Sequence, residues 1–300
     1  MWPFNSTWQC IPWLVVLIIE CLAIVILNII TIVVFVKKKR QLQRRSTYLI
    51  IHLAIVDVLV GAVSGPLQIE ARMSWLCHLW EYRRETIWSH YLSFAFLHLF
   101  SFTSLVNLLF ISLDRLHATF CPFRHRFVKK CVYEVMIIVI WLTTIVREAA
   151  QIFLREIGYL EEINAYLYLL FYAVSVFVIC VSYIFIVIRV QCNRHPQFHS
   201  GSRRERKLTG TSLIVSLVSL LCFLPAIIYA ASRNLFSSSS THFHISMAVL
   251  VLFLGNSLVN PVIYALRMPG FREDLLQIVC RVSDVSKVPV NLPLCNLRTT

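Results

Sequence analysis

Seven long apolar runs, separated by short charged clusters, dominate the pattern of this chain. They cover roughly residues 11–36, 47–71, 87–113, 132–153, 164–190, 208–232 and 243–267. A bilayer core about 30 Å thick takes about 20 apolar residues per helical span, and each run reaches that length. None shows the period-two alternation of a barrel strand, and hydrocarbon offers no partner to open backbone groups, so each run is read as a helix. The pattern therefore predicts an all-α membrane protein, a seven-transmembrane helix bundle forming a single domain over 1–300. Beyond the seventh run, "GFREDLLQIVCRV" (270–282) predicts a short amphipathic C-terminal helix along the inner membrane face, within a tail of about 268–300.

Composition agrees: 58% of residues are hydrophobic and 14% charged, against roughly 45–50% and about 25% in soluble domains. Basic residues then set the orientation. Lys37, Lys38, Lys39, Arg40, Arg44 and Arg45 follow the first run, Arg124, Arg126, Lys129 and Lys130 the third, and Arg194, Arg203, Arg204, Arg206 and Lys207 the fifth. Those loops face the cytoplasm. Glu70, Glu81, Glu85, Glu156, Glu161 and Glu162 lie on the opposite side, which puts a short N-terminus (1–10) outside and the C-terminus inside. The net charge of +13 is thus an orientation signal, and nucleic acid is excluded as a partner. The first run is too long for a cleaved leader and has no charged leading segment. Asn5-Ser6-Thr7 is a glycosylation acceptor on the outer side. "QCNRHPQFHSGSRRERK" reads as a flexible third inner connector.

Polar groups inside the runs carry the functional information, because an ionisable side chain at mid-membrane costs on the order of 2.5–3.5 kcal/mol or more. Asp57 lies in the second run and Asp114-Arg115 closes the third. Asn28, Ser104, Asn107, Trp141, Pro225, Asn256, Asn260 and Pro261 complete the set. Gly61-x-x-x-Gly65 permits close helix packing. His90, His98, His242 and His244 lack ligand spacing and are read as ordinary outer-side histidines. Cys280, at the end of the amphipathic segment, is a candidate for palmitoylation.

In this order and at these depths the residues resemble the rhodopsin-like (class A) G-protein-coupled receptors. Asn28 matches the asparagine of span 1 and "LAIVD" the Leu-Ala-x-x-Asp of span 2. "DRL" (114–116) stands for Asp-Arg-Tyr, with Pro122 seven residues after Arg115. Trp141 matches span 4 and Tyr183 the inner tyrosine of span 5. "CFLP" (222–225) matches Cys-Trp-x-Pro, and "NPVIY" (260–264) matches Asn-Pro-x-x-Tyr. The resemblance implies a plasma-membrane receptor that binds an extracellular ligand and activates heterotrimeric G proteins by outward movement of span 6.

The same resemblance assigns roles. Asp57, Ser104, Asn256 and Asn260 would form a buried polar pocket that holds an allosteric sodium ion, the alternative being a hydrogen-bond cluster without an ion. Arg115 would pair with Asp114 and with Glu205 at the foot of span 6 as an inactive-state latch, the alternative being that Glu205 only balances Arg203, Arg204 and Arg206. Pro225 and Pro261 would kink their helices. Tyr183 and Tyr264 would move into the space that opens, and Phe123 would insert into the G protein alongside Arg115.

Several positions depart from the family pattern. The usual cysteine at the outer end of span 3 is missing from "IWSHYL", and 148–164 contains none. Of ten cysteines only Cys10 and Cys77 lie clearly outside; they are expected to pair, the alternative being two free thiols. Ser175 replaces the span 5 proline and Phe223 the span 6 tryptophan. The missing bridge and proline are similar to the melanocortin, adenosine and cannabinoid branch, although the melanocortin acids are not evident.

By the same analogy the ligand cavity is apolar and aromatic. Leu97, His98 and Ser101 would line it from span 3, Tyr168 and Phe171 from span 5, Phe223, Ala226 and Ile227 from span 6, and Leu250 and Leu254 from span 7, with Glu20 and Gln68 as stray polar groups. Leu97 stands in the amine-binding aspartate position and Leu254 in the retinal lysine position, which speaks against monoamines and light. The lining suits a lipid or hydrophobic ligand, or the apolar part of a peptide. No nucleophile–base pair or metal triad marks an enzyme. A transporter or channel with a polar intramembrane site is the competing class, disfavoured by the lack of internal repeats and of paired broken helices.

Overall fold

A computed structural model describes residues 7–37, 47–75, 77, 86–156, 161–192, 201–232, 240–267, 271–273 and 275–277. The elements are α1 (Thr7–Lys37), α2 (Thr47–Leu59), α3 (Gly65–Trp75), α4 (Thr86–Phe120), α5 (Pro122–Arg126), α6 (Lys130–Glu156), α7 (Glu161–Cys192), α8 (Gly201–Ser232) and α9 (Ser240–Arg267), with a π-helical turn, Val60–Ser64, joining α2 to α3. Among the described residues seven helical stretches are long and apolar enough to cross a bilayer, α2 and α3 forming one of them. The expected seven-helix bundle is what forms.

Its helices differ from the sequence pattern mainly at the ends. The third span continues beyond residue 113 to Phe120, carrying Asp114 and Arg115 as helical residues. The expected flexible connector is helical from Gly201 onward, because its Arg, Glu and Lys residues are strong helix formers that extend span 6 inward. The π-turn in span 2 also went unforeseen. Pro66 lacks an N–H and its ring crowds the carbonyl four residues back; the wider turn before it, where the Gly65 N–H bonds the Val60 carbonyl, accommodates that strain of pattern.

α1 packs against this turn. A Cβ on Gly61 would come within 2.9 Å of Ile24 Cγ2 and 3.0 Å of the Cys21 carbonyl oxygen, and one on Gly65 within 2.2 Å of Cys21 Sγ. The small-residue pair is therefore the seat of α1. α4 runs through the centre of the bundle, burying Leu97, Phe100, Leu105, Val106 and Leu108. α6 lies at the rim and turns Val135, Ile138, Leu142, Ile145 and Val146 outward, as a lipid-facing helix does. On the outer side the sulfurs of Cys10 and Cys77 are bonded, across 67 positions of sequence. On the inner side Phe271 is buried, 5.5 Å from the Phe35 ring, which docks the start of the post-α9 helical segment on α1.

Candidate functional site

The polar groups that looked misplaced in an apolar chain collect at two levels of the bundle. In the middle, Asp57 is fully buried. Asn260 Nδ2 donates to its Oδ2 at 2.7 Å and Ser104 Oγ to its Oδ1 at 3.4 Å, joining spans 2, 3 and 7 on one carboxylate. Asn28 ties span 1 into the same layer, its Nδ2 donating to the Ser257 carbonyl at 2.9 Å. Asn107 donates to the Leu49 carbonyl at 2.9 Å. Asn256 sits one helical turn further outward than Asn260 on the same face of α9, its Oδ1 buried without a hydrogen-bond partner, and the adjacent Ser257 is a further hydrogen-bond partner of Asp57. The Oδ1 atoms of Asn28 and Asn260 are likewise buried and unpartnered. A layer with one carboxylate and several orphaned carbonyl oxygens is rich in acceptors and short of donors, the chemistry that suits a small cation or water.

At the cytoplasmic end a second carboxylate organises the inner ends of spans 3 and 4. Arg115 Nη2 lies 2.5 Å and Nε 3.2 Å from Asp114 Oδ2. Asp114 Oδ1 accepts from Tyr133 OH at 2.7 Å and faces His125 Nε2 at 3.0 Å, a contact that is favourable when Nε2 carries the proton. Asp114 and Arg115 are both buried. Tyr183 OH and Ser216 Oγ, 3.3 Å apart, join α7 to α8 nearby. Glu205 lies on α8, but its side chain is outside the described residues. Pro225 and Pro261 lie inside α8 and α9. Tyr264 is buried with its ring 6.0 Å from Phe35 and 6.2 Å from Phe271. Phe123, on α5, is 76% exposed at the inner surface, unusual for an aromatic ring outside lipid.

Leu97, Phe223, Ile227, Leu250 and Leu254 are buried in the outer part of the hydrophobic core that runs the length of the bundle, with Phe171 and Ala226 packed against it. Phe223 meets Phe253 edge-on at 5.3 Å. His98 lies 6.3 Å from Phe94 and Ser101 is partly buried. Tyr168 is on α7 with its side chain outside the described residues, which also exclude Asn5 and Cys280.

Sequence reasoning passed over four site residues. Tyr133 and His125 close the Asp114 cluster, but only the fold of the second inner loop brings them there. Arg147 and Glu148 form a largely buried ion pair inside span 4, with the guanidinium 3.6 Å from the Phe102 ring centroid. Their signal was available, since "VRE" interrupts an otherwise apolar run.

Comparison with known proteins agrees with this arrangement. The chain is similar to adenosine receptor A3 of Ovis aries, 26% identical over 92% of this chain and 93% of the relative. It is also similar to trace amine-associated receptor 13c of Danio rerio, 24% identical over 91% and 87%. Somatostatin receptor type 2 of Sus scrofa is 31% identical over a shorter stretch, 39% of this chain and 32% of that relative. The family description "7 transmembrane receptor (rhodopsin family)" matches residues 27–264, which hold both polar clusters described above. The chain belongs to the rhodopsin family of seven-transmembrane receptors, the class A G-protein-coupled receptors.

Proposed function

We propose that this receptor works at the plasma membrane, takes a ligand with a large apolar part from the outer side, and drives guanine-nucleotide exchange on a heterotrimeric G protein. The observation that carries this reading is the Asp114 cluster. One buried carboxylate holds Arg115 on one oxygen, and Tyr133 and His125 on the other. The arrangement keeps a guanidinium folded back at the surface where a G protein docks, next to the exposed Phe123. Buried ion pairs of this kind are best understood as elements of a two-state switch. Release of Arg115, with outward movement of the inner end of α8 about Pro225, opens the cavity that a G-protein helix enters. Glu205 on α8 would be the second anchor of the latch.

Asp57, Ser104 and Asn260 serve as the hinge layer between ligand and latch. Asp57 and Ser104 would hold a sodium ion there, with the orphaned amide oxygens of Asn28, Asn256 and Asn260 as further acceptors, directly or through water. Such an ion neutralises the buried carboxylate in one packing of the bundle and so biases the equilibrium between packings. The relatives' names span adenosine, trace amines and somatostatin, a spread that carries no single ligand over to this chain. The apolar cluster of Leu97, Phe223, Ile227, Leu250 and Leu254 supports a lipid-like ligand or the apolar part of a peptide.

The test is nucleotide exchange by purified heterotrimers, screened against a ligand library with the full receptor in lipid nanodiscs. At least one heterotrimer is expected to exchange faster with receptor than without it, and faster again with one ligand class. Ion current or solute uptake in G-protein-free vesicles, with no exchange on any heterotrimer, would contradict the proposal.

A further inference from the structure

Three arginines are drawn into the described bundle, and they are not alike. Arg115 lies on Asp114 and Arg147 on Glu148. Arg72, near the outer end of α3, instead donates from Nη1 to the neutral hydroxyl of Ser246 on α9 at 2.5 Å, and its other electrostatic neighbour is the Tyr229 phenol on α8. Among the described residues no carboxylate reaches it. Its Nε is buried without a hydrogen-bond partner. One turn deeper on the same helix Gln68 is fully buried; its Nε2 donates to the Ser93 carbonyl at 3.0 Å, and its Oε1 has no partner. Two successive turns of span 2 thus carry buried unsatisfied polar atoms, Gln68 beside span 3 and Arg72 beside spans 6 and 7.

A guanidinium stays charged in any protein environment, and neutral hydroxyls do not offset the cost of withdrawing that charge from water. Nε is half of the Nε–Nη2 edge that takes a carboxylate or phosphate by two parallel hydrogen bonds. Nε itself is covered, but the Arg72 side chain as a whole is partly exposed, which leaves an approach to the guanidinium from the outer side. Met247 and Leu250, next along α9 from Ser246, are buried and apolar, so the charge sits at the rim of the apolar cluster.

We propose that Arg72 anchors an anionic group of the extracellular ligand, which is therefore an amphiphilic organic anion with its carboxylate or phosphate on Arg72 and its apolar body in the cluster below. The inference rests on the receptor reading above and narrows its ligand class. Where the sequence suggests a lipid or hydrophobic ligand or the apolar part of a peptide, it adds an anionic end to that apolar body.

The experiment measures the melting temperature of the full receptor in nanodiscs, titrated with hexanoate, hexyl phosphate and the uncharged hexanamide. One or both anions should raise it saturably while hexanamide does not, and the stronger of the two separates a carboxylate from a phosphate ligand. In Arg72→Gln the half-saturating concentration should rise about tenfold or more, the scale of a lost charge-assisted pair. If that variant does not fold, Arg72→Lys, which keeps the charge without the planar fork, should still raise it several-fold. Equal responses to hexanoate and hexanamide, no response to either anion, or anion binding unchanged in the folded variants would overturn the inference. Ligand-free nucleotide exchange by the same wild-type preparation reads the receptor assignment separately, so indifference to anions with exchange intact defeats this inference alone.

Discussion

Asp57 and Asp114 are both buried carboxylates, yet their surroundings give them different work. Asp57 has only neutral partners, Asn260, Ser104 and Ser257, in a layer with a surplus of acceptors; Asp114 is held by an arginine, a phenol and an imidazole. In the function proposed above, the first environment would take a cation that comes and goes and the second would serve as the latch. Two predictions belong at this scale. Asp57→Ala should remove any effect of sodium on agonist affinity in membranes; a sodium dependence equal to the parent's would exclude the ion. Tyr133→Phe deletes one buried hydrogen bond to a charged group, a loss of about 1.5–3 kcal/mol, and should raise ligand-free nucleotide exchange several-fold at matched receptor amount. An unchanged basal rate would separate Tyr133 from the switch. Asp57, Asp114 and Arg115 were legible in the sequence because each violates the apolar pattern around it. Tyr133 and His125 were not, since a tyrosine at a membrane boundary and a histidine in a basic loop are ordinary until the loop folds. Arg72 is not legible in the same way, because it follows directly on the apolar run 47–71, where a charge breaks no pattern.

At the scale of elements, hydropathy was enough to place seven helices, because the bilayer imposes their length and leaves no other spanning structure. It carried no information on where a helix widens. The π-turn at Val60–Ser64 depends on Pro66 acting on the carbonyls before it and on α1 being close enough to seat. Gly61 is the tighter test of that seat, since a Cβ there meets backbone as well as side chain. Gly61→Ala should lower the melting temperature of the purified receptor, by the roughly 1–3 kcal/mol typical of overpacking; no change would show that α1 can retreat without cost. The Cys10–Cys77 bond ties α1 to the end of span 2 on the outer side. A loop of 67 positions implies a loss on the order of 4 kcal/mol when it is opened. Cys10→Ser should therefore destabilise the receptor about as much as reduction of the wild type does, and peptide mapping without reductant should recover the two cysteines linked. Recovery of both as free thiols would refute the bond.

Across the whole molecule the two polar levels and the apolar residues form a vertical order: Leu97, Phe223, Leu250 and Leu254 toward the outside, the Asp57 layer in the middle, the Asp114 cluster at the inner surface. α9 runs through all three, from Ser246 at Arg72 to Asn260 at Asp57 to Tyr264 against Phe35 and Phe271. Pro261 lies between the last two, where a missing backbone bond lets the inner part of the helix repack separately from the outer part. Such a molecule changes by exchanging one packing for another rather than by bending smoothly. The family motifs made this order legible, because Asn-Pro-x-x-Tyr and Asp-Arg-Leu fix depth as well as identity. The outer cavity was not legible to the same degree, because apolar residues that bind a ligand and apolar residues that fill a core are the same residues.

The central claim is that Arg115 is restrained in the resting receptor and that its release drives exchange. The most direct measurement is the ligand-free rate of guanine-nucleotide exchange by a responsive heterotrimer, with wild-type receptor and Glu205→Ala compared at equal receptor amount in nanodiscs. The account predicts a rate several-fold higher with Glu205→Ala than with wild type. A rate equal to or below that of wild type, with the variant folded and inserted, would contradict it.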